Sequence, residues 1–213
     1  MRRLPIYILI DTSYSMSGEP IAAVRHGLES LLAALRQDPY ALETAFLSII
    51  TFGTEAKQVV PLTDIVSFQE PEIVANGSTS LGGALSLLAD RLQNEVKLKS
   101  EDGQKGDWRP LVFLMTDGNP TDEYRELLPL FKKQQTGIVV ACAVGHQIDE
   151  GVLKSITDNV VRIDSTDPSA FAAFFKWVSD SVKTTSHKID LSKNDITGMD
   201  ELPPPPAEVN VVI

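Results

Sequence analysis

The sequence predicts a doubly wound α/β fold: a mostly parallel sheet with one antiparallel edge strand and helices on both faces. Two observations carry that expectation. Short β-branched apolar runs alternate with helix-length amphipathic segments along most of the 213 residues, the pattern of strands joined by crossover helices. Four of the runs are apolar at nearly every position, as a sheet covered on both faces requires. A composition with 43% hydrophobic residues, 13 Gly and 13 Pro agrees with a globular domain and excludes collagen-like or broadly disordered chains.

The first strand is Pro5–Ile10. With Arg2 and Arg3 before it, it imitates a secretory signal, but it runs into Asp11 with no small-residue cleavage site behind it. It therefore reads as a buried strand of a cytoplasmic protein. Glu19–Arg36 follows as a helix, with Pro20 in the first turn, where a missing N–H is harmless. Thr44–Phe52 is the next strand. Lys57–Pro61 comes after the tight Gly53-Thr54-Glu55 turn, too short for a crossover, and so reads as the antiparallel edge strand. Gly82–Glu95 is a helix, Ser100–Asp107 a polar surface loop and Leu111–Thr116 a strand.

Asp122 is the expected N-cap of a helix at Glu123–Gln134, and Asp149 of one at Glu150–Thr157. Strands at Gly137–Val144 and Val160–Ile163 follow these two helices. Asp167-Pro168, an N-cap with a first-turn proline, opens the last helix, Pro168–Ser181. Within it Phe174, Phe175, Trp177 and Val178 are expected in the core. From His187 the periodicity stops and four prolines follow at Pro203–Pro206. Residues 1–186 are read as the domain and 187–213 as a flexible proline-containing tail. Within that tail Val209–Ile213 has strand character.

Charge and cysteine usage narrow the function classes. The chain carries 29 acidic and 19 basic residues, a formal net charge of −10, which argues against nucleic acid or an anionic membrane as the main partner. No apolar run reaches the roughly 18 residues of a membrane span. The single cysteine, Cys142, forms no internal disulfide and is expected to be buried and inert.

The most informative stretch is Asp11-Thr12-Ser13-Tyr14-Ser15. Oxygen-bearing side chains at i, i+2 and i+4 leave an extended segment on one side, and a sharp turn gathers them around one point. Oxygen donors without His or Cys suit Mg²⁺, Mn²⁺ or Ca²⁺. Thr116-Asp117-Gly118 ends another strand. If the two strands are neighbours where the winding reverses, Asp11 and Asp117 meet in the switch-point crevice, where such sheets bind ligands. Gly77 to Gly83 is a loop opening a helix and offering Thr79.

This ordered set resembles a von Willebrand factor A domain, whose fold is a Rossmann-like doubly wound sheet. Asp-x-Ser-x-Ser after the first strand, a Thr before a helix and Thr-Asp-Gly after a later strand match that family's metal-ion-dependent adhesion site. The resemblance spans roughly residues 4–183 and assigns Asp11, Ser13, Ser15, Thr79 and Asp117 to the metal. Lys105 to Pro110, Asp117 to Asp122 and Phe175 to Ser179 are similar to the bacterial tellurium-resistance (TerY-type) stand-alone members. These are associated with Ser/Thr kinase and PP2C-type phosphatase partners in stress and defence clusters. The resemblance implies a non-enzymatic module in which a partner's Asp or Glu carboxylate completes the metal's shell. Tyr14, Met16, Ser80 and Asn119 are then expected as a contacting collar, with Asp64, Glu70, Glu72 and the Asp122-Glu123 pair on the rim.

The alternative is a metal-dependent phosphohydrolase using the Asp11/Asp117 crevice. Haloacid-dehalogenase-type phosphatases resemble Asp-x-Asp-x-Thr, whereas position 13 here is Ser, which removes the general acid. No nucleophile elbow and no phosphate-binding glycine loop occurs.

Overall fold

The computed structural model describes residues 2–99, 105–192 and 195–212. Seven strands form one sheet in the order β3-β2-β1-β4-β5-β6-β7. They are β1 (Leu4–Asp11), β2 (Ala45–Phe52), β3 (Ala56–Asp64), β4 (Leu111–Thr116), β5 (Val139–Val144), β6 (Val160–Ile163) and β7 (Asn210–Val211). Among the described residues six α-helices accompany them: α1 (Glu19–Arg36), α2 (Pro39–Thr44), α3 (Leu81–Glu95), α4 (Tyr124–Lys132), α5 (Glu150–Ile156) and α6 (Pro168–Ser192). Strands β2, β1, β4, β5 and β6 are parallel. The edge expected at Lys57–Pro61 is β3, antiparallel on β2. Among the described residues no helix is long and apolar enough to cross a membrane.

Residue alternation divides the core. In β1, Leu4, Ile6, Ile8 and Ile10 join the residues of α1 and α6 on one face, while Tyr7 and Leu9 join those of α3, α4 and α5 on the other. Strand β4 splits the same way, with Phe113 and Met115 against Val112 and Leu114. Phe174, Phe175, Trp177 and Val178 all lie in the core. Cys142 is fully buried, and burial pushes its thiol pKa upward. Because α1 covers one face and α3 the other, β1 and β4 flank the point where the winding reverses.

Two expectations are corrected. Helix α2 occupies residues read as a loop and the start of a strand. Asp38 caps it by accepting the Ala41 N–H at 2.9 Å, with Pro39 in the first turn. This is the same Asp-Pro signal that marks Asp167-Pro168. Residues 100–104 of the expected loop Ser100–Asp107 lie outside the described residues. The second correction concerns the last helix and the residues read as a flexible tail.

Helix α6 does not stop at Ser181 but continues to Ser192, and Ile189 is buried on it. Beyond it Ile196, Leu202 and Val209 are each buried. The Trp177 indole N–H donates to the Pro203 carbonyl at 2.8 Å. Asn210 and Val211 then pair antiparallel with Arg162 and Val161, so the sheet has two antiparallel edges rather than one. The segment was unreadable as core because it inserts single apolar residues at wide spacing, and no helical or strand period results.

Candidate metal centre

Asp11 is the last residue of β1, at the carboxyl end of the parallel strands. The chain then turns through Tyr14–Met16 as one short 3₁₀ turn before α1. Its backbone is tied to the neighbouring loop: the Asn76 N–H donates to the Thr12 carbonyl at 2.6 Å, and the Tyr14 N–H to the Gly77 carbonyl at 2.9 Å. Gly77 has φ +85°, and a Cβ there would stand 1.9 Å from Thr54 Oγ1, so only glycine fits.

The predicted residues are brought together. Asp11 is fully buried. Its Oδ1 accepts the Ser13 N–H at 2.7 Å and its Oδ2 the Thr116 hydroxyl at 2.5 Å. The Ser13 and Ser15 hydroxyl oxygens are 3.0 Å apart, and the Ser15 hydroxyl donates to Asp117 Oδ1 at 2.8 Å. Thr79 is nearly buried, and its Oγ1 lies 3.2 Å from where a Cβ on Gly118 would stand. Its hydroxyl thus faces the turn that carries Asp117.

The electrostatics of the crevice favour a cation. Burial pushes the Asp11 carboxyl up to about 6, with the Asp117 charge adding to the rise against hydrogen bonds from Thr116 and Ser13. Burial also raises the Asp117 pKa, against the hydrogen bond from Ser15. The leading contributions to both shifts are burial, hydrogen bonds and, at Asp11, the charge of Asp117 rather than a Lys, Arg or His among the described residues. Two poorly hydrated carboxylates in one crevice, with no basic partner, need a compensating charge. The donors are oxygens only, two carboxylates and three hydroxyls, a set that suits a hard divalent ion. Among the described residues no cluster of three His, Cys, Asp or Glu occurs, so the hydroxyls are integral to such a site.

The surroundings differ from the expected collar and rim. Tyr14 is 76% exposed and Asn119 is exposed, but Met16 is fully buried beneath the loop. Asp64 pairs with Phe46 at the start of β2, the end of the sheet away from Asp11. Asp122 does not cap α4. Its carboxylate accepts the N–H groups of Gly82 and Gly83, each at 2.9 Å, and the Ser80 hydroxyl at 2.9 Å. A local reading of helix starts cannot see a cap supplied by another loop; the Gly82-Gly83 pair was the available signal of a close approach. The Thr116 hydroxyl holds Asp11, a role that the Thr116-Asp117-Gly118 turn does not disclose in sequence.

A doubly wound sheet with an oxygen-lined crevice at its switch point defines the class of protein. The chain belongs to the von Willebrand factor type A domain family, whose sequence model matches residues 6–183. Solved structures with the same fold include a von Willebrand factor type A protein from Catenulispora acidiphila (18% identity, TM-score 0.66, 86% of this chain and 43% of that one). Another is proximal thread matrix protein 1 from the mussel byssus, solved with a zinc-occupied MIDAS motif (20% identity, TM-score 0.59, 87% and 46%). The pilus adhesin SpaC from Lactobacillus rhamnosus GG is a third (14% identity, TM-score 0.67, 86% and 30%). The chain spans less than half the length of each of these three. No curated protein matches it by sequence.

Proposed function

We propose that Asp11, Ser13, Ser15, Thr79 and Asp117 hold one divalent ion, Mg²⁺ or else Mn²⁺ or Ca²⁺, and that the module binds a protein partner through it. The observation that carries this reading is the hydrogen-bonded run Asp11–Ser13–Ser15–Asp117, whose side chains offer only oxygen donors, two carboxylates and two hydroxyls. A divalent ion held by so few formal charges supplies an electrophilic position for one further carboxylate, an Asp or Glu of the partner. Three loops contribute the donors, so the crevice is preorganised by the sheet beneath it. Tyr14 and Asn119 border the opening. A mussel thread protein with a metal-occupied MIDAS and a pilus adhesin among the structural neighbours agree with a binding role.

The reading is non-enzymatic. Position 13 is Ser, and its hydroxyl is 3.0 Å from that of Ser15, so the place where a phosphatase of this spacing carries its general acid holds a neutral hydroxyl. The sequence likeness to tellurium-resistance members extends the proposal to a cytoplasmic stress-response or signalling assembly, with a Ser/Thr kinase or a PP2C-type phosphatase as partner.

Thermal unfolding in EDTA, Mg²⁺, Mn²⁺ or Ca²⁺ tests the ion. An ion at 100 times its Kd stabilises by about 2.7 kcal/mol, a rise in Tm of roughly 5–10 °C for a chain of this size. Thr79→Ala and Asp117→Ala should abolish most of the rise. No shift with any of the three ions overturns the metal reading. Capture of a partner that persists in EDTA and in both variants moves the interface elsewhere.

A further inference from the structure

We infer that Thr121 and Asp122 are positioning residues for Thr79, locking the loop that carries Thr79 to the loop that carries Asp117. The inference rests on Thr79 being a ligand of the proposed ion. Thr79 and Asp117 are far apart in sequence and belong to different loops, so their separation is set by whatever ties those loops together. Two adjacent residues do this. The Thr121 hydroxyl accepts the Thr79 N–H at 3.2 Å and donates to the Thr79 carbonyl at 3.1 Å, while the Thr121 N–H donates to the same carbonyl at 2.9 Å. One position further on, the Asp122 carboxylate takes the Ser80 hydroxyl and the N–H groups of Gly82 and Gly83. Thr79 is therefore gripped on its own backbone and again just beyond it, at the start of α3.

The glycine pair is what admits the carboxylate. A Cβ on Gly82 would stand 2.8 Å from the Tyr124 Cα and 3.1 Å from Asp122 Oδ2, and one on Gly83 would stand 2.5 Å from the Ser80 hydroxyl oxygen. A carboxylate facing free N–H groups at a helix start is also favoured electrostatically. Asp122 thus supplies from the Asp117 loop the cap that α3 lacks from its own N-cap residue, Ser80, whose side chain makes no capping bond. The Asp117 loop and the first turn of α3 move as one body, and the distance across the crevice is held by the protein before any ion arrives.

The test is Mn²⁺ affinity, read from the free-ion electron paramagnetic resonance signal well below Tm, for wild type, Asp122→Ala, Asp122→Asn, Thr121→Val and Thr79→Ala. Outer-shell partners of metal ligands are worth about 10–100-fold in affinity, and Asp122→Ala should weaken binding within that range. Asp122→Asn, which keeps one acceptor oxygen, should recover part of the loss. Thr121→Val, of nearly unchanged shape, should weaken binding without unfolding the chain. In a Thr79→Ala background, Asp122→Ala should cause no further loss, because the two act through one ligand. Gly27→Ala, at the α1–α6 contact away from these loops, should lower Tm and leave the affinity unchanged. Wild-type binding retained undiminished in Asp122→Ala and Thr121→Val overturns this inference alone, and so does an additive loss in the double variant. Absence of Mn²⁺ binding by the wild type overturns it together with the metal reading.

Discussion

Helix α1 approaches α6 so closely at Gly27 that one methyl group should destabilise the domain. A Cβ at Gly27 would lie 2.1 Å from Phe175 Cδ2, 2.7 Å from Cγ and 2.8 Å from Cε2. Apolar carbons rest about 3.5–4.0 Å apart, so helix or ring must yield by roughly 1.5 Å. Phe175 has no room to yield. It is fully buried and stands edge-on to Phe174 at a centroid distance of 5.6 Å. Two terms oppose each other in Gly27→Ala. Alanine gains about 0.8–1.0 kcal/mol over glycine in a helix interior. Overpacking a dense core costs about 1–3 kcal/mol, and an approach this short belongs at the upper end. The balance is a loss of about 2 kcal/mol, or a fall in Tm of roughly 4–8 °C for a chain of this size. Urea unfolding followed by circular dichroism should show a lower midpoint with an unchanged slope. Combining Gly27→Ala with Phe175→Leu should destabilise by less than the two losses summed, since the methyl then has space. A Gly27→Ala protein as stable as the wild type would refute the tight approach, and additivity in the double variant would show that Phe175 is not what the methyl meets.

Thr116→Val at pH 8 in EDTA removes the hydroxyl that donates to Asp11. A hydrogen bond to a charged group is worth about 1.5–3 kcal/mol, and an unchanged urea midpoint would contradict that role. Deleting residues 195–213 removes the buried side chains of Ile196, Leu202 and Val209, each worth about 1.5–3 kcal/mol when fully buried. The shortened chain should lose at least about 3 kcal/mol and show red-shifted Trp177 emission, whereas a Tm within a degree of the full chain would mean the segment contributes nothing. At Asp38, burial raises the carboxyl pKa, but the Ala41 N–H and the His187 ring outweigh it, so the folded pKa lies below 3.8. A carboxyl lowered by folding stabilises above its unfolded pKa and loses that contribution as pH falls through the folded one. Asp38→Ala should therefore cost about 1 kcal/mol at pH 6, as for a lost N-cap, and the gap to wild type should close as the solution is titrated below 3.8. A gap that stays constant into strong acid would contradict the linkage.

How much of this was legible depended on whether the cause was local. Strands β1 and β4 announce themselves because both faces are covered and almost every residue is apolar. Asp11, Ser13 and Ser15 stand on one turn, so their spacing alone suggested convergence. Thr79 is harder: its backbone is bonded to Thr121 of the other loop, a contact that no spacing within either loop reveals. Asp122 is a parallel case, since in sequence a side chain that caps a helix from another loop looks like the cap of the helix that follows it. Residues 196–209 pack as isolated insertions against α6 and the sheet, a form of burial without period. Helix α2 is the exception, because its Asp-Pro start was in plain view.

The central position of β1 has a consequence during synthesis. Its apolar residues find one neighbour in β2 early, but the opposite edge pairs with β4 only when Leu111 reaches Ile6, roughly 100 residues later in the chain. At about 5–20 residues per second, the ribosome leaves that edge open for roughly 5–20 s. A growing chain with a long apolar strand and one free row of backbone groups offers other chains a template for pairing. Strand order thus sets a waiting period in which the nascent protein depends on being kept apart from its neighbours, and that period ends only when β4 emerges.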